Sequence, residues 1–147
     1  MKIALGADHG GRSHKDAIKN DLVAQGIEVV DFGTFKDDSV DYNDYALKVA
    51  NAVANNEADK GILVCGTGIG MSVMANKVKG IRAALVHDLF TAKATREHND
   101  TNVLAMGGRV VSEELALEIA NIWVHTEFSN EERHIRRIGK IDSYMGE

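Results

Sequence analysis

Proline is absent from the 147 residues, cysteine occurs once, and Trp, Tyr and Phe together make up 5% of the chain. A single cysteine cannot close a disulfide within the chain, nor can it furnish a thiolate-rich zinc site. Apolar runs reach at most about half a dozen residues, far short of a membrane span, so no membrane contact is expected. Met1-Lys2-Ile3 leads straight into a strand-like segment and reads as having no secretory leader, which makes a soluble, cytoplasmic protein the expectation. Positive charge is also short: the net charge is -5, against general nucleic-acid binding, since a phosphate backbone needs a basic face. A small anion, gripped by a local cluster, stays open. What is present is ordinary for a globular protein, 44% hydrophobic and 27% charged, at close to the commonest domain size. With no linker, low-complexity tract or repeat, residues 1–147 read as one domain.

Strand-like and helix-like segments alternate. Lys2 to Ala7 reads as a buried strand, and Ser13 with Asp16 three residues on resembles a capping box opening a helix. Ala17, Ile18 and Leu22 give that helix its stripe, and Gly26 stops it. Ile27 to Phe32 is a second strand; Ala46, Val49, Ala50 and Val53 then recur at helical spacing. Ile62 to Cys65 is wholly apolar, as a strand covered on both faces should be. A short helix after Gly70, a strand at Arg82 to Val86, a helix from Asp88 to Glu97 and a strand at Asn102 to Met106 complete the alternation. Ser112 opens a further helix with Leu115, Ile119, Ile122 and Trp123 inward. Five strands separated by helices predict an α/β, doubly wound parallel sheet. Glu131 to Met145 comes after the sheet is complete, with Ile135, Ile138, Ile141 and Met145 on one side. Such a helix suits a partner chain, and a dimer is expected.

Ligands of open parallel sheets bind at the strands' carboxyl ends. Searching there collects Asp8-His9-Gly10-Gly11, the run Cys65 to Ser72, His98-Asn99-Asp100 before strand five, and Gly107-Gly108-Arg109 after it. Gly66, Gly68 and Gly70 let successive backbone amides turn toward an anion. The loop is neither a Walker loop, lacking Gly-Lys-Ser/Thr, nor a dinucleotide fingerprint, whose spacing differs. A ligand-free tight turn is the plainer alternative. Cys65 at the loop's mouth is either a small buried hydrophobe or a thiol whose thiolate the amides stabilise, fit to act as base or nucleophile. His9, His98, Asp8 and Asp100 each have plain readings as turn or cap residues. Arg133 and Arg137, four apart, form a solvated stripe or a grip for phosphate oxygens, which Arg109 could join.

At these residues the sequence resembles the ribose-5-phosphate isomerase B family and its sister galactose-6-phosphate isomerase subunits. The marks are Gly6-Ala7-Asp8-His9-Gly10, Asp41-Tyr42, Cys65 to Gly70, Ala75-Asn76-Lys77, His98 to Asn102 and Gly107-Gly108-Arg109, in order along nearly the whole chain. The resemblance implies a Rossmann-like (flavodoxin-like) three-layer sandwich with a C-terminal dimerisation helix. It also implies a homodimer (a tetramer in some members) whose sites are shared between subunits. No cofactor and no metal are implied. The implied activity is interconversion of ribose 5-phosphate and ribulose 5-phosphate. Cys65 then matches the family's base and His98 its ring-opening histidine, with Asp8 and Thr67 orienting the sugar. Backbone from Gly66 through Gly68 and Ile69 to Gly70 matches the enediolate site. Asn99 and Tyr42 match sugar contacts, and His9, Arg109, Arg133 and Arg137 the phosphate set. One branch of the family uses a glutamate in the glycine loop; Met71 stands there here, consistent with the cysteine branch. Asn43 departs from the proline many relatives carry, which bears on the rigidity of Tyr42.

Rivals are isomerisation of a six-carbon sugar phosphate, such as galactose or allose 6-phosphate, a non-catalytic phosphosugar module, and, more distantly, a nucleotide-dependent oxidoreductase. His98-Asn99-Asp100 disfavours the galactose subunits, while a binding module has no need of both Cys65 and His98.

Overall fold

The computed structural model describes residues 1–144. Five strands, β1 (Lys2–Ala7), β2 (Glu28–Asp31), β3 (Lys60–Cys65), β4 (Ala83–Leu85) and β5 (Val103–Gly107), form one parallel sheet in the order β2-β1-β3-β5-β4. Among the described residues six helices accompany them: α1 (Arg12–Ala24), α2 (Tyr42–Ala54), α3 (Ile69–Ala75), α4 (Leu89–Asn99), α5 (Glu113–His125) and α6 (Glu132–Asp142). The expected three-layer α/β architecture with five parallel strands is present. Its strand order differs from the flavodoxin order 2-1-3-4-5 in the exchange of the last two strands.

Alternation along the strands divides the core. Ile3, Leu5, Ile62, Val64, Leu104 and Met106 face α1, α4 and α5, while Ala4, Leu63, Cys65, Val103 and Ala105 face α2 and α3. Parallel strands with both faces covered must be apolar on both, which is why the central ones read as unbroken apolar runs. Register pairs Ala7 with Val64 and Cys65 with Gly107, so β1, β3 and β5 end level. Because β2 and β3 lie on opposite sides of β1, the chain switches direction between β1 and β3. The crevice for a ligand opens at that point.

Several local details differ from the sequence reading. The expected capping box does not form: α1 is preceded by Gly11 without a side-chain cap. The helix begins at Arg12, so Ser13 lies inside its first turn, and the Ser13 hydroxyl donates to the Glu113 carboxylate across to α5. Ser112 and Asp88 do cap, accepting from the amides of Leu115 and Thr91. These two bonds from Thr91, by its amide and its hydroxyl, hold the Asp88 carboxyl below its ordinary pKa. Helix α3 starts at Ile69, before Gly70. Leu115 and Ile122 are only partly buried. In α6, Ile138 is buried but Ile135 and Ile141 are more than half exposed, at 53% and 56%. Met145, counted in that stripe, lies outside the described residues.

At the sheet's amino end, Lys60 is wedged over the Trp123 ring, 5.5 Å from its centroid, and donates to the Val124 carbonyl. Burial, then the nearby Arg96 charge, lower its pKa to about 8. The unfolded chain holds this proton up to about 10.5. Lys60 therefore favours folding above that value, and the benefit is lost as pH falls through 8. Denaturant titrations from pH 7 to 10.5 should show Lys60→Met most favourable relative to the parent at pH 7, with the difference shrinking as pH rises. A pH-independent difference would contradict this placement.

Candidate active site

The level ends of β1 and β3 set the floor of the site. Asp8 follows β1, its amide donating to the Val64 carbonyl, and its carboxylate, itself buried, accepts from the Gly10 amide at 2.9 Å. Gly11 is obligatory for this approach: a Cβ there would lie 2.2 Å from the Val64 carbonyl oxygen. Beside it, Cys65 ends β3 almost fully buried, and its Sγ accepts from the Gly68 amide at 3.1 Å. Gly68 turns the chain with φ +77, pressed against the Met106 carbonyl. An N–H aimed at sulfur is the arrangement that stabilises a thiolate. Thr67 Oγ1 accepts from the Ile69 amide at 3.3 Å.

Asp8, Tyr42, Cys65, Gly66, Thr67, Ile69 and Gly70, expected from the sequence as site residues, line one cavity of about 500 Å³. Val73 also lines it and was not anticipated; its signal was the i,i+4 spacing from Ile69 on one face of α3. The Tyr42 ring lies directly against Gly70, where a Cβ would come within 2.4 Å of it. Asn43 sits in the first turn of α2. Tyr42 is thus located by packing on the glycine loop, whatever residue follows it. Met71 is fully buried in the core with α2.

Two residues of the expected phosphate set stand next to lining residues. The Arg109 guanidinium lies over Gly66, and its amide donates to the Gly66 carbonyl at 3.0 Å. His9 is exposed, with Nδ1 accepting from the Val40 amide at 3.2 Å. That bond places the proton of the neutral ring on Nε2, leaving it as an outward donor.

His98, Asn99, Arg133 and Arg137 are not at this end. The sequence reading gathered His98-Asn99-Asp100 with the carboxyl-end loops. The structure instead places them where α4 returns to the start of β5, at the amino end of the sheet. Arg82, just before β4, donates to the carbonyls of Asn99 and Asp100, and the Asn102 carbonyl accepts from Gly61 at the start of β3. The eleven residues of α4 span about 16 Å, so one chain cannot bring His98 to Cys65.

The segment His98 to Asn102 also divides internally. Asp100 caps α4 in the left-handed conformation and pairs with Arg96 at 2.8 Å. Thr101 accepts from the Trp123 indole, and Asn102 from the Arg82 amide. His98 and Asn99 stay exposed. The His98 ring stacks 4.6 Å from buried His134, whose Nδ1 lies 2.9 Å from Ser129 Oγ. Burial, with the charge of Arg133 next and His98 after it, lowers the pKa of His134. Arg133 and Arg137 stand exposed on α6, Arg133 paired with Glu131 at 3.0 Å. Among the described residues no cluster of His, Cys, Asp or Glu has a metal-binding arrangement, and no helix is long and apolar enough to cross a membrane.

A family model described as Ribose/Galactose Isomerase matches residues 3–141. The chain is 58% identical to a putative sugar phosphate isomerase of Bacillus subtilis, over 98% of this chain and 97% of that protein. It is 48% identical to ribose-5-phosphate isomerase B of Escherichia coli, over 95% and 93%. Among solved structures, ribose-5-phosphate isomerase B of Clostridium thermocellum superposes with a TM-score of 0.94 at 52% identity, covering 97% of this chain and 95% of the other.

The glycine loop carries a direct test. Gly68→Ala imposes a left-handed φ on alanine and drives its Cβ to 2.7 Å from the Met106 backbone. It should lower stability by at least about 1 kcal/mol, read as a shifted urea midpoint. An unchanged midpoint would mean that the loop does not need this geometry.

Proposed function

Because the chain belongs to the ribose/galactose isomerase family, we propose that it interconverts D-ribose 5-phosphate and D-ribulose 5-phosphate in the cytoplasm. The observation that carries the proposal is a single nucleophilic sulfur, Cys65, fed by a backbone amide and set among Asp8, Thr67 and the glycine loop in one cavity. That is the equipment for moving a proton between adjacent carbons.

The substrate rests mostly as a closed ring, so His98 first takes the anomeric hydroxyl proton while the bond from C1 to the ring oxygen breaks and that oxygen takes up a proton from solvent. Asp8 and Thr67 orient the sugar, and Asn99 and Tyr42 contact it. The Cys65 thiolate then removes the C2 proton. The C2–H electron pair becomes the C1–C2 double bond of a cis-enediolate, and the proton of the C2 hydroxyl passes to O1. The Cys65 thiol, after partial exchange with solvent, protonates C1, leaving the carbonyl on C2 and restoring the thiolate. Gly68 and Ile69 amides already serve Cys65 Sγ and Thr67 Oγ1, so the amides of Gly66, Thr67 and Gly70 remain for the enediolate oxygens. Fixed donors of this kind contribute about 3 to 4 kcal/mol each in comparable sites. His9 Nε2 and Arg109 reach the phosphate from the Cys65 side, and Arg133 and Arg137 from the His98 side.

This mechanism needs both ends of the sheet at one substrate, and a second copy of the chain supplies the missing half. Support comes from the exposure of His98 and Asn99 and of Ile135 and Ile141 on the terminal helix. In a homodimer built this way, each site pairs Cys65 of one subunit with His98 of the other.

Incubation with ribose 5-phosphate in deuterated water should place deuterium on the reacting carbon. If neither exchange nor ribulose 5-phosphate appears, the isomerase assignment fails. Cys65→Ala and His98→Asn should each abolish turnover of the closed sugar, His98→Asn sparing the open-chain form. Co-refolding the two variants should restore about one quarter of parental activity, since half the dimers are mixed and each holds one intact site. No recovery from mixing would overturn the shared site while leaving the chemistry standing.

A further inference from the structure

Helix α6 meets the rest of its chain along one narrow stripe. His134 and Ile138 are buried, and Asp142 lies four residues further on, so all three share a face. Arg133 and Arg137 precede the first two by one residue each, placing them about 100° round the helix. Whatever sets the roll of α6 on its docking stripe therefore sets the direction of the arginines.

The last element of that stripe is held by Arg82. Its Nη1 donates to both Asp142 carboxylate oxygens at 2.9 Å. Its other nitrogens are already committed, Nε to the Asn99 carbonyl at 3.0 Å and Nη2 to the Asp100 carbonyl at 2.9 Å. The Arg82 backbone amide donates to Asn102 Oδ1. One guanidinium thus joins the entry to β4, the end of α4 that carries His98 and Asn99, and the last turn of α6. Exposed ion pairs usually contribute little because both side chains must be immobilised. Arg82 is different: its side chain is only 19% exposed and is oriented by two carbonyls before Asp142 arrives.

We propose that Arg82, through Asp142, is a positioning residue for substrate phosphate. It locks the roll of α6 and so holds Arg133 and Arg137 in register with His98 and Asn99. The inference rests on the function proposed above, in which those arginines bind the phosphate.

Asp142 is half-exposed and touches no proposed substrate group, so its removal is a clean perturbation. Steady-state kinetics on ribose 5-phosphate should show Asp142→Ala raising KM about three- to tenfold while kcat falls less than twofold, the signature of lost uniform binding. Asp142→Asn, which keeps size but loses charge, should lie between. The inhibition constant of inorganic phosphate should weaken in parallel. In the double variant with Arg137→Ala, the two effects should be less than additive, because the pin acts through the arginine. If Arg137→Ala raises KM and both Asp142 variants leave it unchanged, the positioning role is overturned and the phosphate assignment survives. If Arg137→Ala leaves KM unchanged, the phosphate assignment itself falls, and the pin with it.

Discussion

Backbone meets backbone where β1, β3 and β5 end, and the rest of the site depends on that contact. Gly11 packs on the Val64 carbonyl, Gly108 on the Gly10 carbonyl, and Gly107 on Thr67, each too close for a Cβ. The amides of Gly108 and Arg109 donate to the carbonyls of Cys65 and Gly66. The three loops are therefore cross-braced rather than independently flexible. A thiol placed at the end of β3 inherits this rigidity, with its sulfur facing an amide whose position the neighbouring strands determine. Preorganised donors are effective because they need no reorganisation when charge develops.

The strand order extends the same constraint. Inserting β5 between β3 and β4 brings Gly107-Gly108-Arg109 beside the Cys65 loop, which an order ending 3-4-5 would not do. The crossover that makes this possible is α4, and it deposits His98 and Asn99 at the opposite end of the sheet. The topology that completes the Cys65 cavity thus places the residues proposed as its histidine half at the other end of the sheet.

Much of this was legible in the sequence. Short apolar runs and period-3.6 patterns located five strands and the helices within a few residues, and β-strands apolar throughout pointed to a sheet covered on both sides. The cavity around Cys65 was legible too, because strand-end loops of a parallel sheet converge by construction. His98 was misplaced for the same reason: sequence order puts His98-Asn99-Asp100 next to β5 without saying at which end, and only the direction of α4 decides. The Ser13 capping box failed because the helix already begins at Arg12, which puts Ser13 inside the first turn rather than at the N-cap, and its hydroxyl is used by Glu113, one hundred residues away. Local motifs carry no record of such long-range partners. The roles of Asp100, Thr101 and Asn102 were hidden likewise, since their partners Arg96, Trp123 and Arg82 are revealed only by packing.

A division of labour within short motifs follows from these contacts. In His98 to Asn102, three side chains hold the turn and two face outward. In Cys65 to Gly70, two amides hold side chains and others stay open to a ligand. The residues doing structural duty are what make the free ones precise: Asp100 in its left-handed cap points the α4 terminus, and Gly68 in its own left-handed turn points an amide at sulfur. Neither group of residues is dispensable in the proposed chemistry, yet they fail differently when altered. Loss of a free residue removes a chemical step from an intact fold. Loss of a bracing residue moves every free residue of its motif together. Distance between the two halves adds a final condition, because α4 alone spans about 16 Å, and in the proposed chemistry a site whose base and ring-opening histidine stand at opposite ends of the sheet acts only when a second chain brings them together.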